Sequence, residues 1–169
     1  MNYLWRFTVS AIACVTACGP SGDAPDGRDA PSRATADSEQ CDILTAADVQ
    51  AVTGTSVERM DRNPAIGAGG TCVNFAGADG QVYLGVNRLN NASEYRASVG
   101  AVPEDVYPDK QALPGLGDEA VLFKGPGGVR FLVARKGTSG VVLFPLGEGY
   151  NMSDQQLRDL AAKALASTR

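Results

Sequence analysis

The sequence contains no histidine at any of its 169 positions. Ser-His-Asp and Cys-His catalysis depend on an imidazole that accepts and returns a proton, so the sequence excludes both. Most zinc hydrolases are excluded too, because imidazole nitrogens hold their metal. The nucleophile pattern G-x-S-x-G is also absent. We therefore predict no catalytic residue, no cofactor and no metal.

Positive charge is also scarce. Lys and Arg total 15 against 19 Asp and Glu, which gives a formal net charge of −4. Nucleic-acid binding requires clustered Lys and Arg, so no nucleic-acid partner is expected. The hydrophobic share of 44% and the charged share of 20% are typical of a single globular domain.

Long apolar runs are missing as well. The uncharged stretch 7–17 follows Arg6 and is shorter than the about 20 residues that a membrane-spanning helix needs. This order is typical of a secretory signal peptide. The stretch ends in Val15-Thr16-Ala17-Cys18-Gly19, which resembles the bacterial lipobox. We predict a signal peptide at 1–17, cleaved before Cys18.

Cys18 is then the predicted lipidation site, carrying palmitate or related acyl chains. Several acyl chains on one cysteine give stable membrane attachment, whereas a single chain binds marginally. The predicted location is the bacterial cell envelope, on the extracytoplasmic face of a membrane. Two alternatives remain: a cleaved signal without lipid, and Cys14 as the acceptor after the poorer match in residues 11–13.

A linker and one domain follow the predicted anchor. Residues 19–38 contain no aliphatic side chain larger than Ala, so they cannot bury enough apolar surface to offset the entropy of ordering. We predict a flexible linker over 18–40 and a single domain over 41–169.

Local signals predict three helices in this domain. Thr45, Asn91 and Ser153 are N-cap residues, each with a side chain three positions later that can complete a capping box. Gly54 and Gly100 are expected to end the first two helices. The third has an apolar stripe at helical spacing, formed by Leu157, Leu160, Ala161, Ala164 and Leu165.

Alternating apolar residues and short glycine turns predict about five strands. They lie at 71–75, 82–87, 120–123, 129–134 and 141–146. The connections are too short for crossover helices, so the sheet should be antiparallel. The predicted class is α+β, with two to three helices packed on this sheet.

Cys41 and Cys72 are the two cysteines of the predicted domain. An exported domain folds in an oxidising compartment, which favours a disulfide between them. Metal binding is the alternative, but two thiols without a histidine make a poor zinc site.

The longest irregular segment, 101–119, is the candidate binding loop. Three prolines interrupt it: Pro103, Pro108 and Pro114. Long loops in compact domains tend to be functional, so we predict that Tyr107, expected to be exposed, Lys110 and Asp118 contribute to binding. The alternative is that the segment is a rigid connector.

Three stretches together resemble a known family. They are Cys41-Asp42-Ile43-Leu44-Thr45, Cys72 followed by Phe75, and Leu113-Pro114-Gly115-Leu116-Gly117-Asp118-Glu119-Ala120. The chain is similar in these stretches to small bacterial lipoproteins of unknown function, mainly actinobacterial. This resemblance implies an exported α+β domain with one disulfide, and it brings no catalytic residues.

The expected function is therefore noncatalytic. We expect a membrane-anchored domain that binds or senses a protein partner or an envelope ligand. The alternative is a carboxylate-dependent cell-envelope hydrolase that uses Glu104 with Asp105, or Asp118 with Glu119. The stretch 115–120 also matches the dinucleotide pattern G-x-G-x-x-A, but it precedes a strand instead of opening a helix, which excludes that function.

Overall fold

The computed structural model describes residues 41–60 and 72–168, and a single antiparallel sheet organises them. Seven strands form the sheet in the order β1-β2-β3-β7-β6-β5-β4, and every neighbouring pair is antiparallel. The strands are β1 Glu58–Met60, β2 Val73–Ala76, β3 Val82–Leu89, β4 Asp109–Ala112, β5 Glu119–Lys124, β6 Arg130–Lys136 and β7 Ser139–Pro145. The α+β class and the antiparallel sheet are confirmed, but the prediction of about five strands was too low.

The two strands that the sequence did not predict, β1 and β4, are the edges of the sheet. All four residues of β4 are exposed, and two of the three residues of β1 are exposed. Edge strands of this kind bury no regular apolar face. Their sequences therefore lack the alternation of apolar and polar residues that predicts a strand.

Three α-helices accompany the sheet: α1 Ala46–Thr53, α2 Ala92–Gly100 and α3 Asp154–Ser167. All three predicted N-caps are confirmed, and Thr45 and Ser153 form complete capping boxes. Gly54 ends α1 in the left-handed conformation, with φ 75°. Gly100 does not act in this way, because α2 includes it and the next residue keeps a right-handed conformation.

The two faces of the sheet have different covers. One face, here called the helical face, packs against α1 and α3. All five residues of the predicted α3 stripe are buried there. The strand residues of this face include Val73, Phe75, Leu84, Val86, Leu122, Leu132, Val141 and Leu143. The capping boxes and the stripe therefore place α3 as the sequence predicts.

The opposite face, here called the aromatic face, is covered by α2 and by the segment that follows it. Its buried residues are Leu89, Tyr95, Phe123, Phe131, Val133 and Val142. Phe131 stacks on Phe123 with ring centroids 4.6 Å apart and on Phe144 at 5.6 Å. Offset stacking of aromatic rings adds a directional contribution to simple burial.

The predicted disulfide between Cys41 and Cys72 is confirmed, with Cα atoms 5.2 Å apart. It joins the segment before α1 to the residue before β2, across a separation of 31 residues. Closing a loop of that size stabilises the fold by about 3 to 4 kcal/mol in the chain-entropy model. An ion pair between Asp42 and Arg59 lies in the same region and connects it to β1.

Candidate functional site

The candidate binding loop, 101–119, is not irregular throughout. Its charged centre forms β4, which pairs with β5 so that Lys110 lies opposite Phe123 and Ala112 opposite Val121. The prediction of one continuous loop was wrong at this point. The side chains of β4 are too polar for the segment to show the apolar alternation of a half-buried strand.

Tyr107 is half-buried, which contradicts the predicted exposure. Its ring meets Phe131 edge-on, with centroids 4.9 Å apart and an interplanar angle of 89°. Gly125 makes room for this contact, since a Cβ there would lie 3.3 Å from the tyrosine ring and 2.8 Å from the carbonyl oxygen of Val106. Burial raises the pKa of Tyr107. The ring therefore helps to close the aromatic face.

Lys110 is exposed on β4 and contacts two neighbours. Its Nζ lies 3.0 Å from Oε1 of Glu104 and 5.8 Å from the ring centroid of Phe123. The side chain thus joins the edge strand to the segment that precedes it. Exposed ion pairs contribute little to stability, so this pair serves mainly to neutralise charge on the surface.

Asp118 holds the turn between β6 and β7. Its Oδ2 accepts a hydrogen bond from the backbone N–H of Gly137 at 2.8 Å and lies 3.4 Å from the guanidinium of Arg135. Its own backbone N–H donates to the carbonyl of Arg135 at 2.8 Å. Gly117 allows this approach, because a Cβ there would lie 2.3 Å from the same carbonyl oxygen. Asp118 therefore has a structural role in the turn.

The three predicted binding residues do not form one site. Tyr107 contacts the ring of Phe131, and Lys110 contacts the ring of Phe123. These two phenylalanine rings stack on each other. Asp118 directly precedes β5, whereas Lys110 lies opposite the far end of that strand. Five residue steps of extended chain lead from Asp118 to Phe123, the partner of Lys110, a distance of roughly 17 Å. The candidate surface is therefore the part of the segment around Tyr107 and β4.

Three of the four acids of the alternative hydrolase are engaged in surface ion pairs. Glu104 binds Lys110, and both Asp118 and Glu119 approach Arg135, with Glu119 Oε2 lying 3.3 Å from Nε. The carboxylates of Asp118 and Glu119 are about half exposed. In the two described ranges, no group of three His, Cys, Asp or Glu side chains is arranged to hold a metal ion.

Asp154 forms an ion-pair cluster that the sequence did not predict. It lies in the first turn of α3 and contacts Lys124 at 2.6 Å and Arg130 at 2.9 Å, which links the helix to β5 and β6. The hydrogen bond from Lys124 is the main cause of a lowered pKa for this carboxyl, despite an opposing contribution from burial. An acid at a helix start was visible in the sequence, but its two partners were not.

Asn74 is a second feature that the sequence did not identify. It is fully buried on β2, between Met60 of β1 and Gly85 of β3. Neither its Nδ2 nor its Oδ1 has a hydrogen-bond partner in the described structure. A buried amide without partners loses its hydration without compensation, so it destabilises the fold.

No protein-family model, curated protein or solved structure matches this chain. The predicted signal peptide, the linker and Cys18 lie outside the described residues. Within the described part, no helix has the length and hydropathy required to cross a membrane.

Proposed function

We propose that this chain is an exported lipoprotein of the bacterial cell envelope. In this proposal acyl chains on Cys18 attach it to the extracytoplasmic face of a membrane, and its noncatalytic domain binds or senses a protein partner or an envelope ligand. The signal-like N-terminus and the family resemblance support the location. The disulfide between Cys41 and Cys72 supports an oxidising compartment.

The observation that carries the binding proposal is the position of the candidate surface in the sheet. The chain enters the described domain at Cys41, which is bonded beside β2, near one edge of the sheet. The segment around Tyr107 and β4 forms the other edge. Six strand spacings of about 4.8 Å separate the edges, so the candidate surface lies roughly 30 Å from the first edge strand.

The chemistry of this surface favours binding over hydrolysis. Every residue from 103 to 106 and from 108 to 112 is exposed. Val106 is 47% exposed and is the one large hydrophobic residue exposed in the described structure. The nearby carboxylate of Glu104 is held by Lys110, so this surface offers contacts rather than a pair of acids aligned for catalysis.

The attachment is tested with two cysteine variants. Cys18→Ser should release the protein from the membrane fraction or leave an unprocessed precursor, whereas Cys14→Ser should change neither. Metabolic labelling with a fatty-acid analogue follows the lipid directly. Label that persists in the Cys18→Ser variant contradicts the proposed lipidation site.

The binding surface is tested by crosslinking in intact cells, followed by capture of the full chain. Val106→Asp with Lys110→Ala should weaken recovery of the crosslinked partner. Lys163→Ala is the matched control, because Lys163 is also an exposed ion-paired lysine but contacts Asp48 on α1. Equal recovery from all three proteins would place binding elsewhere, and a carboxylate-dependent hydrolytic activity in the purified chain would favour the alternative.

A further inference from the structure

The free edge of β4 presents two backbone N–H groups to solvent. The N–H of Leu113 donates to the carbonyl of Ala120 at 2.9 Å, so this residue faces β5. Backbone groups alternate in direction along an antiparallel pair. Residues 109 and 111 therefore also face β5, whereas Lys110 and Ala112 direct their N–H and carbonyl groups away from the sheet.

Prolines limit this edge on both sides. Pro108 and Pro114 occupy the next outward positions before and after the two exposed donors. Proline has no N–H, so neither position can extend the hydrogen bonding. Short edges bounded by proline resist unlimited sheet growth, yet two outward residues remain able to exchange four hydrogen bonds with one added strand.

The charge of the edge indicates which strand fits. Asp109 is exposed and has no ion pair in the described structure. Its cross-strand neighbour, Lys124, is bound to Asp154 instead. Lys110 is neutralised by Glu104, and Asp105 adds a further exposed acid nearby. The edge is therefore acidic, and Asp109 is available to a basic side chain on an added strand.

We propose that β4 accepts an extended segment of a protein partner as an eighth antiparallel strand, with a basic residue opposite Asp109. This inference rests on the proposed binding function and specifies how the partner is held. Strand addition gains its affinity from backbone hydrogen bonds and its specificity from alternate side chains. A second copy of the chain fits less well. Symmetric antiparallel pairing about Gln111 places Asp109 opposite Leu113 of that copy, so Asp109 meets an apolar residue instead of a basic one.

The probe is an acetylated and amidated peptide, Ser-Gly-Val-Thr-Thr-Arg-Gly-Ser, whose central residues lie opposite Ala112, Gln111, Lys110 and Asp109 in that order. Titration into the isotope-labelled full chain in detergent should shift the amide resonances of Lys110 and Ala112 saturably. We expect a Kd on the order of 1 mM, because the added ladder has only four hydrogen bonds.

Backbone methylation of the probe separates strand addition from charge attraction. N-methylation of the two residues opposite Lys110 and Ala112 should abolish the shifts, because those amides donate to β4. N-methylation of the single residue opposite Gln111 should preserve them, because that amide points away. Equal binding by both methylated peptides would overturn the proposal, as would the absence of any saturable shift.

A proline variant of the protein gives the matching test. Ala112→Pro removes one outward donor while leaving the β4–β5 hydrogen bonds intact, so the thermal midpoint should be unchanged and peptide affinity should fall about fivefold or more. Asp109→Asn should weaken the arginine peptide but not a version with alanine in place of arginine. Wild-type affinity in Ala112→Pro would contradict strand addition.

These results are distinguishable from failure of the proposed function. One outcome is that partner capture in cells is lost in Val106→Asp with Lys110→Ala but retained in Ala112→Pro. That result would support the proposed binding function and contradict strand addition. Absence of any crosslinked partner removes the function, while the peptide titration still decides whether β4 accepts a strand. Concentration-dependent shifts of Lys110 and Ala112 without peptide would identify a second copy as the occupant and overturn the proposal.

Discussion

The helical and aromatic faces of the sheet are closed in different ways. The helical face is covered by α1 and α3, whose aliphatic side chains enter one large buried cluster. The aromatic face is covered by the short helix α2 and by a segment in which Val102 and Tyr107 are only partly buried. The first cover is built from capped helices, whereas the second includes part of the candidate binding surface. The residues that close the aromatic face therefore include part of the proposed binding surface, to which the helical face does not contribute.

Truncation of a core residue on the helical face should have the largest effect. Leu160 on α3 is fully buried, so Leu160→Ala should lower the free energy of unfolding by about 2 to 5 kcal/mol. Leu89→Ala on the aromatic face should cost less, because Leu89 retains 6% exposure and lies on the face that is covered by the shorter helix α2. Chemical denaturation of both variants measures the difference, and a larger loss for Leu89→Ala would reverse the comparison.

Removal of the Tyr107 ring should have the next largest effect. Tyr107→Ala removes the edge-on contact with Phe131 and should cost roughly 1 to 2 kcal/mol, since the ring is only half-buried. Tyr107→Phe keeps the ring and is the matched control, with a change within about 0.5 kcal/mol. Thermal unfolding distinguishes the two variants, and an unchanged midpoint in Tyr107→Ala would show that this part of the cover is not needed for stability.

Replacement of Asn74 by an apolar residue should stabilise the protein. Asn74→Leu keeps the branched skeleton and the number of heavy atoms, and it removes a buried amide that lacks partners in the described structure, so we expect a gain of about 1 kcal/mol. Asn74→Asp is the matched opposite change and should destabilise, because it places a carboxyl group in the same buried position. A loss of stability in Asn74→Leu would show that the amide makes a compensating contact.

Local interactions account for the parts of the fold that the sequence predicted. Thr45 and Ser153 satisfy helix donors within their own first turns, and β6 and β7 are joined by a glycine turn between apolar runs. These signals depend on neighbours in sequence. The position of α3 also followed from its buried stripe, because apolar spacing determines which face of the helix packs.

Distant contacts account for the parts that the sequence did not predict. The burial of Tyr107 depends on Phe131 and on the space left at Gly125, and neither is close to it in sequence. The two edge strands are defined by their neighbours in the sheet, since their own side chains are largely exposed. Asp118 stood out in the sequence as a loop residue just before a predicted strand. Its contact with Gly137 could not be predicted, because that contact depends on the register of β5 and β6.

Ionisable groups on the two faces should lower the stability of the protein at opposite ends of the pH scale. This is the smallest effect that we predict. On the helical face, hydrogen bonding to Thr45 lowers the pKa of Asp48, and hydrogen bonding to Lys124 lowers the pKa of Asp154. A carboxyl with a lowered folded pKa contributes stability above its unfolded pKa of about 3.9, and the contribution is lost as the pH falls through the folded value. The decline should therefore begin near pH 4 and be smaller in Asp154→Asn.

On the aromatic face the pH dependence of stability has the opposite sign. Burial raises the pKa of Tyr95 and Tyr107, so their neutral forms are favoured in the folded protein. Above the unfolded tyrosine pKa of about 10, the unfolded chain ionises first, and stability falls until the folded value is reached. Tyr107→Phe should flatten this alkaline decline and leave the acidic one unchanged. Thermal midpoints measured across both pH ranges test the assignment, and an alkaline decline of wild-type size in Tyr107→Phe would mean that Tyr107 does not contribute to it.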